Sequence, residues 1–594
     1  MSTIKLIIDG QEIEVKNGTT ILEAAKKINV NIPTLCHHED LCVAGNCRVC
    51  VVEVKGRERL EASCAVPAEE GMDILTNSAK IRNARKDIVS LLVSEHNTQC
   101  TTCYRNTNCE LQELAAEYNV DGNKYLSVLK EGIEIDTSSW SIEKDDSKCI
   151  HCQRCVRTCA ELQHVNALTA AFKGNEMKIS TFGELPFNEV VCTNCGQCVN
   201  HCPTGALTER RYFDQVWEAL GDHSKHVVMN TAPSVRVALG EMLGYEVGTR
   251  VTGKMVTAMK KIGADSVLDT DFSADLTIIE EGHELLSRLR KVLLKKDTNI
   301  KLPMITSCSP GWVKFIEHMY PNHLGHLSTC KSPQQMFGAL TKTYYAEKKG
   351  IDPKDIVSVA IMPCAAKKYE ANRAEMNDSG YRDIDAGLTT REFGLMIKQA
   401  GLNFQNLEDS EFDSIMGEST GAGVIFGATG GVMEAALRTA YTIVTGRNVP
   451  FKNLNITAVR GTEGIRKASI KIDGCLEEWA FLEGAELNVA VAHGLKNART
   501  IMDEVASGKS NYHFIEVMGC PGGCIGGGGQ PIPTNADIRA KRIQAIYEED
   551  MSKSIRMSHE NPEIVRIYKE FLGEPLGEKS HKLLHTHYHK RNRY

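Results

Sequence analysis

The residues able to do chemistry in this sequence are cysteines. There are 22 in 594 residues, most of them in tight local groups. Two runs, "CIHCQRCVRTCA" and "CTNCGQCVNHCPTGA", share the spacing C-x2-C-x2-C-x3-C, and Pro203 completes the second. Paired runs of this kind hold two [4Fe–4S] clusters, the fourth cysteine of each run ligating the other cluster. Cys149, Cys152, Cys155 and Cys202 are therefore expected on one cluster, and Cys192, Cys195, Cys198 and Cys159 on the second. Upstream, Cys36, Cys47, Cys50 and Cys64 suit a plant-type [2Fe–2S] centre, although the first gap is longer than in that pattern; a zinc site is the alternative. Cys42 reads as a spare thiol in the same loop. "HNTQCTTCYRNTNC" offers His96, Cys100, Cys103 and Cys109, which taken alone also suit zinc. On an iron–sulfur cluster, an imidazole replacing one thiolate lowers the negative charge and raises the potential. Four clusters in about the first 210 residues make a wire, and a wire implies a terminus. Far downstream, "VMGCPGGCIGGGGQP" sets Cys520 and Cys524 among glycines, which permit close backbone approach and unusual φ/ψ around a bulky group.

The elements that must position these thiols are legible as patterns. "IKLIIDGQEIEV" alternates, turns at Asp9-Gly10 and alternates again, a hairpin. "TTILEAAKKINV" follows with Thr20 and Glu23 in capping-box register. Strand, strand, helix and cysteine loop predict a β-grasp-like domain over 1–79. A small helical His/Cys3 domain is expected over 80–138, and a two-cluster ferredoxin-like domain, an internal repeat, over 139–210. From 211 to 594, short apolar runs ("HVVMNTAP", "VSVAIMPC", "HFIEVMGC") alternate with amphipathic helices, an α/β pattern. The fold class is therefore multidomain, α+β followed by α/β. The tail "SHKLLHTHYHKRNRY" is basic and His-rich and is assigned to packing or solvent, with no metal. A net charge of −7 is mild for this length and argues against nucleic acid as the main partner. No apolar stretch approaches the roughly 18 residues of a membrane span. The first residues lack the features of a secretory signal, so the expected location is the cytoplasm. Locally clustered cysteines in a reducing compartment bind metal rather than form disulfides.

Three segments, "TSCSPGW", "MPCAAKKYE" and "EVMGCPGGCIGGGG", resemble the signature stretches of the [FeFe]-hydrogenases, with "TAPSVR", "KSPQQMFG" and "GAGVIFGATGGVMEAA" as further similar segments. The accessory cysteine groups occur in the order of the larger clostridial type, and the N-terminal region also resembles the large iron–sulfur subunit of respiratory complex I. The resemblance implies that 211–594 is the catalytic domain, with an H-cluster: a [4Fe–4S] cubane joined through a cysteine sulfur to a diiron unit with CO, cyanide and a bridging dithiolate amine. By position, Cys364 and Cys520 bind the cubane and Cys524 bridges to the diiron unit. Lys367 and Ala232–Ser234 donate to cyanide, and Met362 and Met518 flank the diiron site. The family's first motif has two adjacent cysteines, a proton relay followed by a cubane ligand. Here Cys308 matches the relay and Ser309 stands at the ligand position. Three alternatives stay open: Ser309 binds through oxygen, a harder donor, or Cys308 or Cys330 takes the fourth ligand's place.

The activity implied is reversible cleavage of H2 into two protons and two electrons. By resemblance, Cys308, Glu281, Ser328, Glu284 and Arg288 carry the proton; Glu281 and Glu284, three apart in a helical pattern, share a face. No P-loop is present, and "GAGVIFGATGG" has the wrong spacing for a dinucleotide fingerprint. If NAD(P) is used, another subunit binds it. The leading reading is the hydrogenase subunit of an electron-bifurcating complex with ferredoxin and flavin- and NAD(P)-binding partners. A stand-alone ferredoxin hydrogenase is the alternative, and a non-catalytic iron–sulfur scaffold or electron-transfer protein the third. The diiron unit requires dedicated maturation proteins in this family.

Overall fold

The structure, a computed structural model, describes residues 2–122, 124–125 and 134–592. The N-terminal sheet has the order β2-β1-β5-β3-β4, from β1 Thr3–Ile8, β2 Gln11–Lys16, β3 Val51–Val54, β4 Glu61–Ala62 and β5 Asp73–Leu75. Asp9 and Gly10 turn the β1–β2 hairpin at φ 48° and 80°, matching the twist of the paired strands. The helix Ile21–Lys27 begins in the expected capping box. It buries Ile21, Ala24 and Ala25 against Leu6, Ile8, Val52 and Ile74. The helices Ala79–Ser94 and Glu110–Glu117 follow. They share a small core with the cysteine loop, in which Leu35, Cys36 and Val49 meet Val89, Leu111 and Leu114.

The internal repeat is visible in the backbone. His151 and Gln153 (φ 53° and 59°) stand at the same offsets from Cys149 as Asn194 and Gly196 (φ 59° and 72°) stand from Cys192. Alternation of left- and right-handed residues curls a loop so that N–H groups face inward, which suits an anionic centre. Two short antiparallel pairs, β6 Ile142–Lys144 with β9 Leu207–Glu209 and β7 Thr169–Ala171 with β8 Lys178–Ser180, close this unit.

The remainder is built on two four-stranded sheets. The first, β11-β10-β13-β14, is wholly parallel (β10 His226–Thr231, β11 Ser266–Asp269, β13 Ile356–Met362, β14 Ala386–Thr389). The second has the order β12-β17-β16-β15 (β12 Met304–Ile305, β15 Ile465–Lys471, β16 Glu486–His493, β17 Phe514–Met518), with only β15 antiparallel. Both are covered on both faces, which is why their central strands read as continuous apolar runs. One face of β12, β16 and β17 buries Ile305, Ala490, Ile515 and Val517 in the same core as Val190, Val199 and Trp312. The ferredoxin-like unit is thus fused to the second sheet rather than tethered to it. Among the described residues no helix is long and apolar enough to cross a membrane.

Candidate active site

In parallel sheets, ligands collect beyond the carboxyl ends of the strands, where loops diverge. Five strand ends converge here. Ala232 follows β10, Thr270 follows β11, Cys308 lies three residues past β12, Met362 ends β13, and Met518 ends β17. Together with Pro233, Cys364, Lys367, Phe426 and Cys524 they line a cavity. The wall is apolar apart from the thiols, Thr270, Gln334 and Lys367.

The backbone around Cys520 and Cys524 explains the glycines. Gly523 has φ 93°, and a Cβ there would lie 2.6 Å from the Thr429 nitrogen. A Cβ on Gly527 would meet the Pro363 oxygen at 2.2 Å, and one on Gly528 the Cys195 oxygen at 2.2 Å. These side chains are absent because backbone occupies their space. Arg391 locks the loop, donating to the Gly528 oxygen (2.7 Å) and the Gln530 oxygen (2.6 Å). Gln197 and Asn200 hold the Gly526 and Gly527 oxygens at 2.9 and 3.0 Å. Arg391 is itself neutralised by Glu209, which against the cost of burial it holds down at about 2. None of these four residues is singled out by the sequence; a buried Arg–Glu pair leaves no local signature.

Cys364 and Cys520 are in contact, and that hydrogen bond lowers the Cys364 thiol while raising its partner. Burial pushes Cys524 up to about 12 and raises Cys308 well above the ordinary thiol value, the latter helped by Glu281. Thiols so buried ionise only beside a cation, so the site suits metal rather than free thiolate chemistry. Ser309 is the residue before the helix Pro310–Met319, yet its hydroxyl makes no cap. It accepts instead from the Gly519 N–H at 3.0 Å, next to Cys520. Cys330 lies elsewhere, buried beside Glu284 and outside the cavity wall, which disfavours it as a fourth ligand. Lys367 reaches the Cys308 oxygen at 3.1 Å and Glu370 at 2.9 Å. Ser234 Oγ and Gln334 Oε1 are buried without a partner, the kind of orphaned polar atom that a bound group satisfies. The cavity, the orphans and the three thiols at its edge fit a cubane and diiron unit.

Glu281 and Glu284 lie on one face of the helix Thr270–Leu289. Burial, then the charge of Glu284, pushes the Glu281 carboxyl up to about 8. Ser328 hydrogen-bonds Glu281 and donates to Glu284 at 2.9 Å. Arg288 closes on Glu284 at 2.6 Å and on the Gly325 oxygen at 3.1 Å near the surface. Glu281, Ser328, Glu284 and Arg288 are thus linked by hydrogen bonds, and Cys308, on the cavity wall, lies in the field of Glu281. Glu516 opens the signature stretch "EVMGCPGGCIGGGG" without a role legible in the sequence; it is fully buried nearby and accepts from the Gly430 and Met433 N–H groups at 2.6 and 2.7 Å.

The accessory cysteines assemble in the crossed arrangement. Cys149, Cys152, Cys155 and Cys202 line one cavity. Cys159 instead feels Cys192, and Cys195 feels Cys192 and Cys159. Burial raises Cys149, Cys152 and Cys195 each to about 12. Cys36 is lowered by hydrogen bonds from Cys47 and Cys64, and Cys50 Sγ lies 3.3 Å from Cys64 Sγ. Cys103 and Cys109 interact, while His96 presents a buried Nδ1 with no partner; Cys100 opens the short turn between them. Cys42 stays exposed on Glu161, and all 22 cysteines are free of disulfides.

Residues 225–528 match the iron only hydrogenase large subunit, C-terminal domain, and 536–591 the iron hydrogenase small subunit. The chain belongs to the iron-only hydrogenase family. Its hydrogenase core is preceded by matches to a 2Fe-2S iron-sulfur cluster binding domain (1–79), an NADH-ubiquinone oxidoreductase-G iron-sulfur binding region (85–124) and a NADH-quinone oxidoreductase subunit 3, ferredoxin-like domain (139–208). The hydrogenase is 48% identical to the NADP-reducing hydrogenase subunit HndD of Solidesulfovibrio fructosivorans over 100% of both chains. It is 40% identical to iron hydrogenase 1 of Clostridium pasteurianum over 98% of this chain and 100% of that one. Among solved structures, an apo variant of the [FeFe]-hydrogenase HydA1 from Chlamydomonas reinhardtii superposes with a TM-score of 0.56 at 42% identity, covering 64% of this chain and 99% of that chain. The protein is an oxidoreductase acting on H2, with iron–sulfur domains that relay its electrons.

Proposed function

We propose that this hydrogenase is the H2-converting subunit of an electron-bifurcating complex, exchanging electrons with ferredoxin and with flavin- and NAD(P)-binding partner subunits in the cytoplasm. The observation that carries this reading is the succession of cysteine groups from Cys36 to Cys195, in which Cys36, Cys109 and Cys152 share one small core and Cys195 abuts Gly528 of the catalytic loop. A relative of the same length and domain order is named as a subunit of an NADP-reducing hydrogenase, and no dinucleotide fingerprint is present in this sequence.

Cys364, Cys520 and Cys524 would hold the cubane, with Ser309 in the fourth position, and Cys524 would also serve the diiron unit. One [2Fe–2S] and three [4Fe–4S] clusters would occupy the accessory groups assigned above. When bound, the H-cluster, installed by maturation proteins, would supply the Lewis-acid and base chemistry for heterolysis of H2. The residues then do ordinary work. Met362, Met518, Phe426 and Pro233 exclude water, while Lys367 and Ser234 offer donors to anionic ligands. Cys308 takes the proton at Sγ and passes it to Glu281, whose raised pKa suits a group that must both accept and release near neutral pH. Ser328 hands it to Glu284, beside Arg288.

Anaerobic purification from the source tests the assignment. Co-eluting flavoprotein subunits and H2-dependent NAD(P) reduction that requires ferredoxin are expected. A monomer that reduces ferredoxin alone would establish the stand-alone enzyme instead.

A further inference from the structure

The carboxylate relay ends at a poor outlet. Glu284 is clamped by Arg288, and a guanidinium, with a pKa above about 12, holds its protons rather than releasing them. An imidazole, which can both take up and give up a proton, makes a better outlet, and the protein places two of them near this carboxylate.

They come from the His-rich tail, which the activity has not otherwise explained. After the helix Glu578–Leu584 the chain pairs with the segment that follows Ser328. Cys330 bridges to His585, and the Thr586 N–H donates to the Thr329 oxygen at 2.7 Å. His585 is thereby buried, only 6% exposed. A ring nitrogen of His585, a Glu284 oxygen and the Cys330 sulfur all lie within 4.8 Å of one another. Thr329 links the first two. Its N–H donates to Glu284 at 3.1 Å, and its Oγ1 lies 2.8 Å from His585 Nδ1. On the other side of the ring, His585 Nε2 is 3.2 Å from Glu280, which Tyr568 and the Leu576 N–H also bind. The exposed His581 packs on His585, the rings tilted by 42° with centroids 4.3 Å apart.

We propose that His585 and His581 form a second proton exit that leaves the carboxylate chain at Glu284. This rests on the Cys308-to-Glu284 relay. Outward, the proton of the Glu284 acid passes to the His585 ring, a nitrogen of which lies within 4.8 Å of a Glu284 oxygen. His585, held at Nδ1 by Thr329 and at Nε2 by Glu280, yields a proton to His581, whose ring centroid lies 4.3 Å away, and His581 releases it to water. No electron moves, and each group regains its starting protons once the ring returns to its first tautomer. The charged and titratable groups facing this pair are Glu280, Glu284 and Lys291 from the long helix and its continuation, Cys330, and Tyr568. Burial, then His585, lowers the His581 ring below its ordinary value, while Glu280 and Glu284 act in the opposite sense. Arg288 then serves to hold Glu284 in place rather than to pass protons.

The matured holoenzyme tests this through His581→Ala, an exposed substitution that leaves the core alone. In weak buffer, H2 evolution is expected to fall about tenfold, less than for loss of a sole acid–base group because other routes to water remain. Added imidazole should restore it saturably, with the infrared bands of CO and cyanide unchanged. Wild-type turnover of His581→Ala in weak buffer, or a loss that imidazole does not repair, would overturn the proposal. Glu284→Gln separates the two readings. If it is crippled while His581→Ala is intact, only the histidine branch fails; if it is active, the relay itself is wrong.

Discussion

Cys195 and Gly528 are in backbone contact, so close that a single added methyl on Gly528 would stand 2.2 Å from the Cys195 oxygen and 2.7 Å from the Gly196 Cα. The loop that carries the last accessory cysteines therefore rests directly on the loop that carries Cys520 and Cys524. Reciprocally, a Cβ on Gly196 would meet Gly528 and Ala365. The junction through which electrons must pass has no room for side chains.

Gly528→Ala should therefore separate the two loops. The contacting atoms are backbone and cannot swing aside, so destabilisation of about 1–3 kcal/mol or more is expected, as for overpacking. Intramolecular electron transfer should slow, since the loops must part. Thermal unfolding and pulse reduction of the accessory clusters measure the two effects. Gly221→Ala, with nothing within 4 Å, is the control, and equal behaviour of the two variants would refute the junction.

Cys308→Ala should nearly abolish turnover while the clusters assemble. Cys308 lines the cavity wall and sits in the field of Glu281, so its loss interrupts proton flow without removing an assigned ligand. Removal of such a group costs about 10²–10⁴ in rate. Wild-type H2 evolution in a variant with normal infrared bands would exclude the relay.

The pH dependence follows from Glu281. Its carboxyl, ordinarily at 4.5, is raised to about 8, first by burial and then by Glu284. Below 8 it holds the proton that Cys308 must receive for H2 evolution, so evolution should decline as pH rises through about 8. The same shift makes the folded state bind an extra proton between 4.5 and 8. Its contribution to stability is full below 4.5 and is lost as pH rises to 8. Glu281→Gln should be slow at every pH and, relative to wild type, gain stability towards alkaline pH. A flat wild-type profile across 7–9, against a value of about 8 for this carboxyl, would show that it does not titrate there.

Much of this architecture is legible in the amino-acid sequence, for identifiable reasons. Thiol spacing is local, so the crossing of Cys159 and Cys202 between the two sets follows from the two runs alone. The Asp9-Gly10 turn, the Thr20–Glu23 capping box and the shared face of Glu281 and Glu284 are likewise short-range. What the sequence hides is long-range and polar. Arg391 reaches Gly528 across 137 positions, and Arg539 pairs with Asp40 across 499. No periodicity records such partners. The His-rich tail is hidden differently. Its composition is plain, but only the pairing of Cys330 with His585 shows which of its histidines is buried against the carboxylates.

The Arg539–Asp40 pair ties the first cluster's loop to the catalytic domain through two bonds of 2.8 Å each. Asp40 is held well below the usual carboxylate range by Arg539 against the cost of burial. Breaking a partly buried bidentate pair leaves an unpaired charge, so Arg539→Ala should loosen the N-terminal sheet by roughly 1–3 kcal/mol. Hydrogen exchange should rise in residues 34–50 before it rises around Cys520. Unchanged protection there would show that the apolar contacts alone hold the domain.

Ser309 offers the sharpest test of metal binding because its hydroxyl is aimed at Gly519 rather than at its own helix. A serine serving only to start that helix would have capped it, a role worth about 1 kcal/mol. If Ser309 ligates through oxygen, then in protein made without maturation proteins Ser309→Ala should lose one iron per chain or yield a three-iron electron paramagnetic signal. Ser309→Cys should keep the full complement and raise the cubane's reduction potential, because thiolate spreads negative charge over a softer donor than alkoxide. Full iron content and an unshifted signal in Ser309→Ala would mean that the fourth ligand comes from elsewhere, with Cys308 the remaining thiol on the cavity wall.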